Sequence, residues 1–172
     1  MSDHQPQTTG SADLPAAFPT ARTRPFPDPR PAGSAVSAPS AIRSGLELLE
    51  RGSLMATLGM EVLQRGAERT IVRMPVEGAR QVSGVLHGGA TAALVETAAS
   101  VAAQRSAPEG MLPVGSDLQV SHVRPVDQGY VTAVATPVHT GRRTALYEVV
   151  VSDDHGQCVA RGTLRSMYVK AG

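Results

Sequence analysis

The sequence is short of the residues that most often betray a function. One of its 172 residues is cysteine, Cys158, and none is tryptophan. A lone cysteine excludes an intramolecular disulfide and any multi-cysteine metal site. It also points to a reducing, cytoplasmic setting. With only two phenylalanines and three tyrosines, a core must be built from Val, Leu, Ile, Met and Ala. Charge of one sign is missing too: 16 Lys and Arg against 15 Asp and Glu leave a net +1. Such a balance gives no general pull toward nucleic acid or an anionic membrane, and no basic patch interleaved with aromatics is present. No apolar run approaches a membrane span, and no apolar stretch near the start marks a secretory signal. The length suits one ordinary domain.

The chain divides near residue 40. Eight of the 13 prolines and both phenylalanines lie in residues 1–40. The run from Arg24 to Pro31, with prolines at 25, 27, 29 and 31, can neither continue a helix nor enter a central strand. Residues 1–40 are expected to be a disordered tail rich in Pro, Ala and Ser, and residues 41–172 the folded domain.

Within that domain, Ile42, Leu46, Leu48, Leu49, Met55 and Leu58 suggest a short amphipathic helix broken near Gly52. Strands are expected at Glu61–Gln64 and Thr70–Met74, then a polar loop to Gly84. Gly88 to Gln104 is dominated by alanine, the strongest helix former. It is apolar nearly all round, with one charge, Glu96, so it reads as a buried helix. After Pro113, the segments Ser116–Arg124, Tyr130–His139, Arg143–Ser152 and Gln157–Lys170 read as strands, and Asp153 to Gly156 as a hairpin turn. The expected fold is α+β: an antiparallel sheet, ending in a meander of about four strands, wrapped around one central helix.

Standard catalytic signatures are absent. There is no Gly-x-Ser-x-Gly elbow, no phosphate-binding glycine loop and no His-Glu-x-x-His. His4, His87, His122, His139 and His155 are scattered without zinc-ligand spacing. No metal and no cofactor is therefore expected. What remains is Gln81, His87-Gly88-Gly89, Glu96 and Ser100. Paired glycines opening a helix leave N–H groups free at the positive end of its dipole, where a developing oxyanion could be held. Taken alone they are also accounted for by a tight turn into a helix. A carboxylate inside an Ala, Leu and Val helix is costly to bury unless paired or functional, and burial would raise its pKa toward a base's range. Alone, Glu96 could equally be a structural carboxylate at an edge. Ser100, four residues on, shares its face. A carboxylate plus an oxyanion hole suits thioester hydrolysis, because a thiol of pKa about 8.5 leaves without a strong acid.

These residues resemble a known family. Gln81, the Val-Ser-Gly-Val-Leu-His-Gly-Gly run of 82–89, Glu96 and Ser100 look like the active-site segment of hotdog-fold acyl-CoA thioesterases. The likeness extends through Val114-Gly115, His122-Val123-Arg124-Pro125, His139-Thr140-Gly141-Arg142 and the final hairpin, over about residues 45–170. The nearest subgroup is the glutamate-type hydroxybenzoyl-CoA superfamily with the dihydroxynaphthoyl-CoA and enterobactin proofreading thioesterases. The resemblance implies Glu96 as nucleophile or general base and the Gly88 N–H as the group polarising the thioester carbonyl. It implies Gln81 and His87 as orienting groups, and Ser100 as an aid to Glu96 or its water. Gly115, His122, Val123, Arg124 and Pro125, with His139, Thr140, Gly141, Arg142, Arg143 and Thr144, fall where the family holds CoA. The arginines can fork onto phosphate oxygens.

The expected function is hydrolysis of an acyl-CoA, aromatic or medium-chain. The alternatives are an acyl-carrier-protein thioester as substrate, or a non-catalytic acyl-CoA-binding module, against which the intact Gln81, His87 and Glu96 argue. Glu96 lies eight residues beyond Gly88, roughly 12 Å along a helix at 1.5 Å per residue. One chain cannot close that gap, so a site shared across a two-fold homodimer is expected. The family resemblance implies the same dimer, often doubled to a tetramer.

Overall fold

The computed structural model describes residues 52–171. The expected tail, and the helix expected over Ile42 to Leu49, lie outside them. In chain order the elements are α1 (Leu54–Thr57), β1 (Glu61–Gln64), β2 (Thr70–Pro75), α2 (Gly88–Ser106), β3 (Met111–His122), β4 (Tyr130–Thr140), β5 (Thr144–Asp153) and β6 (Cys158–Lys170). The six strands form one antiparallel sheet in the order β1-β2-β4-β5-β6-β3. This is the expected α+β hotdog architecture, with α2 packed against the sheet.

The sheet can take the helix so closely because both partners are small at the contact. Ala90, Leu94, Val95, Ala98, Ala99, Ala102 and Ala103 of α2 are buried against Ala133, Ala135, Ala145, Val149 and Ala160 of the strands. Period-two alternation puts the buried residues of β5, such as Ala145, Tyr147, Val149 and Val151, on the helix side.

Two differences from the sequence reading matter. The four later strands are not a simple meander: β4, β5 and β6 are, but β3 crosses to the far edge and pairs only with β6. β3 also begins at Met111, so Pro113 lies inside it. An edge strand tolerates proline because its missing N–H need not serve a second neighbour. The second difference concerns α2. Its sequence is apolar nearly all round, but the sheet covers one face only. Ala92, Ala93, Thr97, Ser100 and Val101 are half-buried, and Gly89, Glu96 and Gln104 are exposed.

The C-terminal end of α2 is tied to the sheet by hydroxyls. Tyr147 places its OH 3.0 Å from the Ala67 carbonyl oxygen, 3.0 Å from Ser106 Oγ and 3.3 Å from the Ala102 carbonyl oxygen. Ser106 Oγ and the Tyr168 OH are 2.8 Å apart. Carbonyls that end a helix without partners are thus partly satisfied. Burial pushes the Tyr147 phenol above its ordinary range, while the Ser106 hydrogen bond pulls the other way.

Candidate functional site

The N-terminal end of α2 is built differently. The chain arrives through a tight loop in which Arg80 and Leu86 bridge, Gln81 N–H donates to the Val85 carbonyl at 2.8 Å and Gly84 N–H to the Gln81 carbonyl at 2.9 Å. His87 is the N-cap: its Nδ1 accepts from Gly89 N–H at 2.8 Å, and its backbone N–H donates to the Ala79 carbonyl. Histidine is not among the residues favoured at this position, so sequence reasoning missed the cap. Of the two glycine N–H groups expected to be free, the one on Gly89 is therefore taken. The Gly88 N–H has no acceptor among the described residues.

Gly88 opens into a cavity of about 440 Å³ lined also by Gln81, Val85, Leu86, Thr91, Val126, Val159 and the run His122 to Pro125. The imidazole of His122 stands over Gly88: a Cβ there would meet its Nε2 at 3.1 Å. Glycine at 88 thus allows the imidazole a close approach that a larger residue would push back by a few tenths of an ångström. Thr91, buried at the cavity's side, was not singled out from sequence. Its spacing of three from Gly88, which places both on one helical face, was the available signal. Val126, in the loop after β3, and Val159, in β6, reach the cavity through tertiary packing, which no local pattern encodes. His87 does not join this cavity. With Gly89 it lines a second, apolar hollow of about 350 Å³, beside Leu54, Leu58, Ala79, Ala90 and Ala93.

The remaining candidates gather elsewhere. Glu96 is exposed in the single chain, and the burial expected for it is absent because the sheet covers only the opposite face of α2. Its carboxylate lies over Gly115 of β3, where a Cβ would meet Oε1 at 3.2 Å and Leu164 Cδ1 at 3.4 Å. Immediately after Gly115 the β3–β6 register shifts, a bulge of the kind that often re-aims side chains beside a site. Ser100, half-buried, follows on the Glu96 face. The hairpin tip His139 to Thr144 belongs to this same end. Thr144 pairs with Met167, and Met167 with Val114, next to Gly115. His139 folds back so that its Nε2 would stand 2.7 Å from a Cβ on Gly141, and Arg142 and Arg143 are exposed.

The site residues thus form two groups in one chain. Gln81, Gly88 and His122 to Pro125 share the cavity at the start of α2. Glu96, Ser100, Gly115 and the 139–144 tip lie farther along the helix and the sheet. Among the described residues the β3 edge running past them is unpaired, and it is partly apolar, with Leu112 46 % and Val114 51 % exposed. Among the described residues no cluster of three or more His, Cys, Asp or Glu side chains is placed to hold a metal, and no helix is long and apolar enough to cross a membrane.

Comparison with known proteins agrees with this fold. The profile of the Thioesterase superfamily matches residues 83–160, from the loop before α2 into β6. The chain is 39 % identical over 113 residues to the proofreading thioesterase EntH of Cronobacter turicensis, an alignment spanning 64 % of this chain and 82 % of that protein. The chain belongs to the hotdog-fold thioesterase superfamily. Among solved structures, a thioesterase from Haemophilus influenzae superposes with a TM-score of 0.69 at 33 % identity, covering 74 % of this chain and 90 % of that one. A phenylacetic acid degradation protein from Thermus thermophilus does so at 0.60 and 30 %, covering 66 % and 96 %. The relatives of this thioesterase-like hydrolase therefore span more than one branch of the family, and no single subgroup is marked out.

Proposed function

We propose that the protein hydrolyses acyl-CoA thioesters with an aromatic or medium-chain acyl group, in an active site shared by two antiparallel copies of the chain. The observation that carries this reading is the division of the site residues into two groups. One group offers electrophilic assistance: a free helix N-terminal N–H at Gly88, with Gln81 at the same cavity. The other offers a carboxylate, Glu96, exposed on a helix face that the chain's own sheet leaves uncovered. A second copy related by a two-fold axis, packed on that face and along the β3 edge, would bring Glu96 of each chain to Gly88 of the other. It would also cover the apolar surface of α2 and β3.

In that arrangement the thioester carbonyl oxygen accepts from the Gly88 N–H, where the helix dipole favours negative charge. Glu96 either removes a proton from a water held with Ser100 or attacks the carbonyl carbon itself. In both routes a C–O bond forms, the carbonyl π pair moves onto oxygen, and collapse breaks the C–S bond. The CoA thiolate departs without a strong acid. Along the second route water then cleaves the mixed anhydride and restores Glu96. Gln81 orients the thioester, and the His87 cap fixes the helix start. Arg124 of one chain and Arg142 or Arg143 of the other would fork onto the phosphates of CoA.

The reading favours the glutamate-type aryl branch of the family, a cytoplasmic setting, and a dimer that can double to a tetramer. A panel of aryl, short, medium and long acyl-CoAs, followed by thiol release, tests it. Turnover of an aryl or medium-chain ester with loss of activity in Glu96→Ala supports the assignment. A wild-type chain that binds acyl-CoA and cleaves none of the panel contradicts it. Cleavage only when the acyl group is carried on an acyl carrier protein would move the substrate to that class.

A further inference from the structure

The cavity at Gly88 holds an imidazole whose place calls for another role. His87, which the resemblance casts with Gln81 as a group orienting the thioester, spends its Nδ1 on the Gly89 N–H and lines the apolar hollow instead. His122, which the resemblance assigns to CoA, stands over Gly88, with Nε2 3.1 Å from where a Cβ would sit. Its imidazole makes no hydrogen bond with the described residues. The Gly88 N–H is one backbone donor, and oxyanion holes work by aiming several donors at the point where charge develops. We infer that His122, through Nε2–H, is the second donor to the thioester oxygen in the transition state, opposite the Gly88 N–H. This rests on the thioesterase reading of the site.

The inference separates two behaviours of a His122 variant. A donor to the oxyanion acts mainly in the transition state, so its loss lowers kcat. A contact to the nucleotide or pantetheine acts alike before and during reaction, so its loss raises KM. With an acyl-CoA that the full-length wild-type protein cleaves, His122→Ala should lower kcat by about a hundredfold and leave KM within threefold. His122→Gln, whose amide can donate from a similar place, should recover at least tenfold of that loss. A second readout needs no turnover. In a Glu96→Ala background, infrared spectroscopy of a bound acyl-CoA labelled with ¹³C at the carbonyl should show a lower C=O stretch with His122 present than with His122→Ala.

A His122→Ala protein with raised KM, unchanged kcat and an unchanged carbonyl stretch would overturn the assignment and return the residue to CoA binding. So would a His122→Gln variant that keeps its fold and recovers nothing. Were the wild type itself to cleave no acyl-CoA, the thioesterase reading would fall, and this inference with it. A wild type that cleaves, combined with a pure KM effect, removes this inference alone.

Discussion

The two ends of α2 are made by opposite means. At Ser106 the helix is locked: two tyrosine hydroxyls and a serine tie the last carbonyls to β5, β6 and the loop before β2. At Gly88 it is left open: one histidine caps one N–H, another N–H faces a cavity, and glycine replaces the side chain that would crowd His122. Both ends carry uncompensated backbone groups by the nature of a helix. The molecule satisfies those at the Ser106 end and leaves open the Gly88 N–H, the group proposed to meet the substrate. The contrast extends to the faces of α2, where the alanine-rich side is buried against the sheet and Glu96 is exposed, its carboxylate over Gly115.

The comparison can be broken at several points. The largest expected effect is at Glu96. Glu96→Ala should lower turnover at least a hundredfold, measured by thiol release, with the melting temperature unchanged or slightly higher because a carboxylate that the proposed dimer would bury is removed. Next are the arginines at the two groups of the site. Arg124→Ala, and separately the double substitution Arg142→Ala/Arg143→Ala, should each raise KM for acyl-CoA about tenfold with kcat nearly constant, as expected for charge-assisted phosphate contacts. KM should also rise with salt.

The locked end should respond in stability alone. Tyr147→Phe removes a hydroxyl that serves Ala67, Ala102 and Ser106, and should cost about 1–2 kcal/mol in denaturant unfolding, with turnover per folded molecule within twofold. Its alkaline behaviour has a definite sign. Folding favours the neutral phenol, so this stability is fully present below the unfolded value of about 10 and is lost as pH rises from there through the raised folded value. Tyr147→Phe should flatten that alkaline loss. Smallest of all, deletion of residues 1–40, proposed to be a disordered tail, should change melting temperature and turnover less than twofold.

Much of this contrast was legible in the sequence, and unevenly so. The alanine run from Gly88 announced α2, which ends two residues beyond the expected Gln104, and β1 falls where alternation placed it. Local patterns carry such elements because helix and strand differ in period. The position of β3 was not legible: pairing with β6 is set by packing across some fifty residues, and Pro113 read as a boundary although an edge strand accepts it. Glu96 stood out as the anomalous charge, but its exposure could not be read, since the helix sequence does not say how many of its faces one sheet can cover. The His87 cap, the placing of His122 over Gly88 and the approach of Thr91 are three-dimensional facts. Each depends on where strands and loops deliver side chains that the sequence shows only as single residues.

The central claim is that the open end of α2 in one chain is completed by Glu96 of another. It is tested by mixing two inactive variants, Glu96→Ala and Gln81→Ala/His87→Ala, unfolding them together and refolding. Half of the dimers then carry one chain of each kind, and each of these holds one intact site of two, so activity should return to about a quarter of wild type. Mixed dimers proven to form, yet without any recovered activity, would mean that each site is built within one chain.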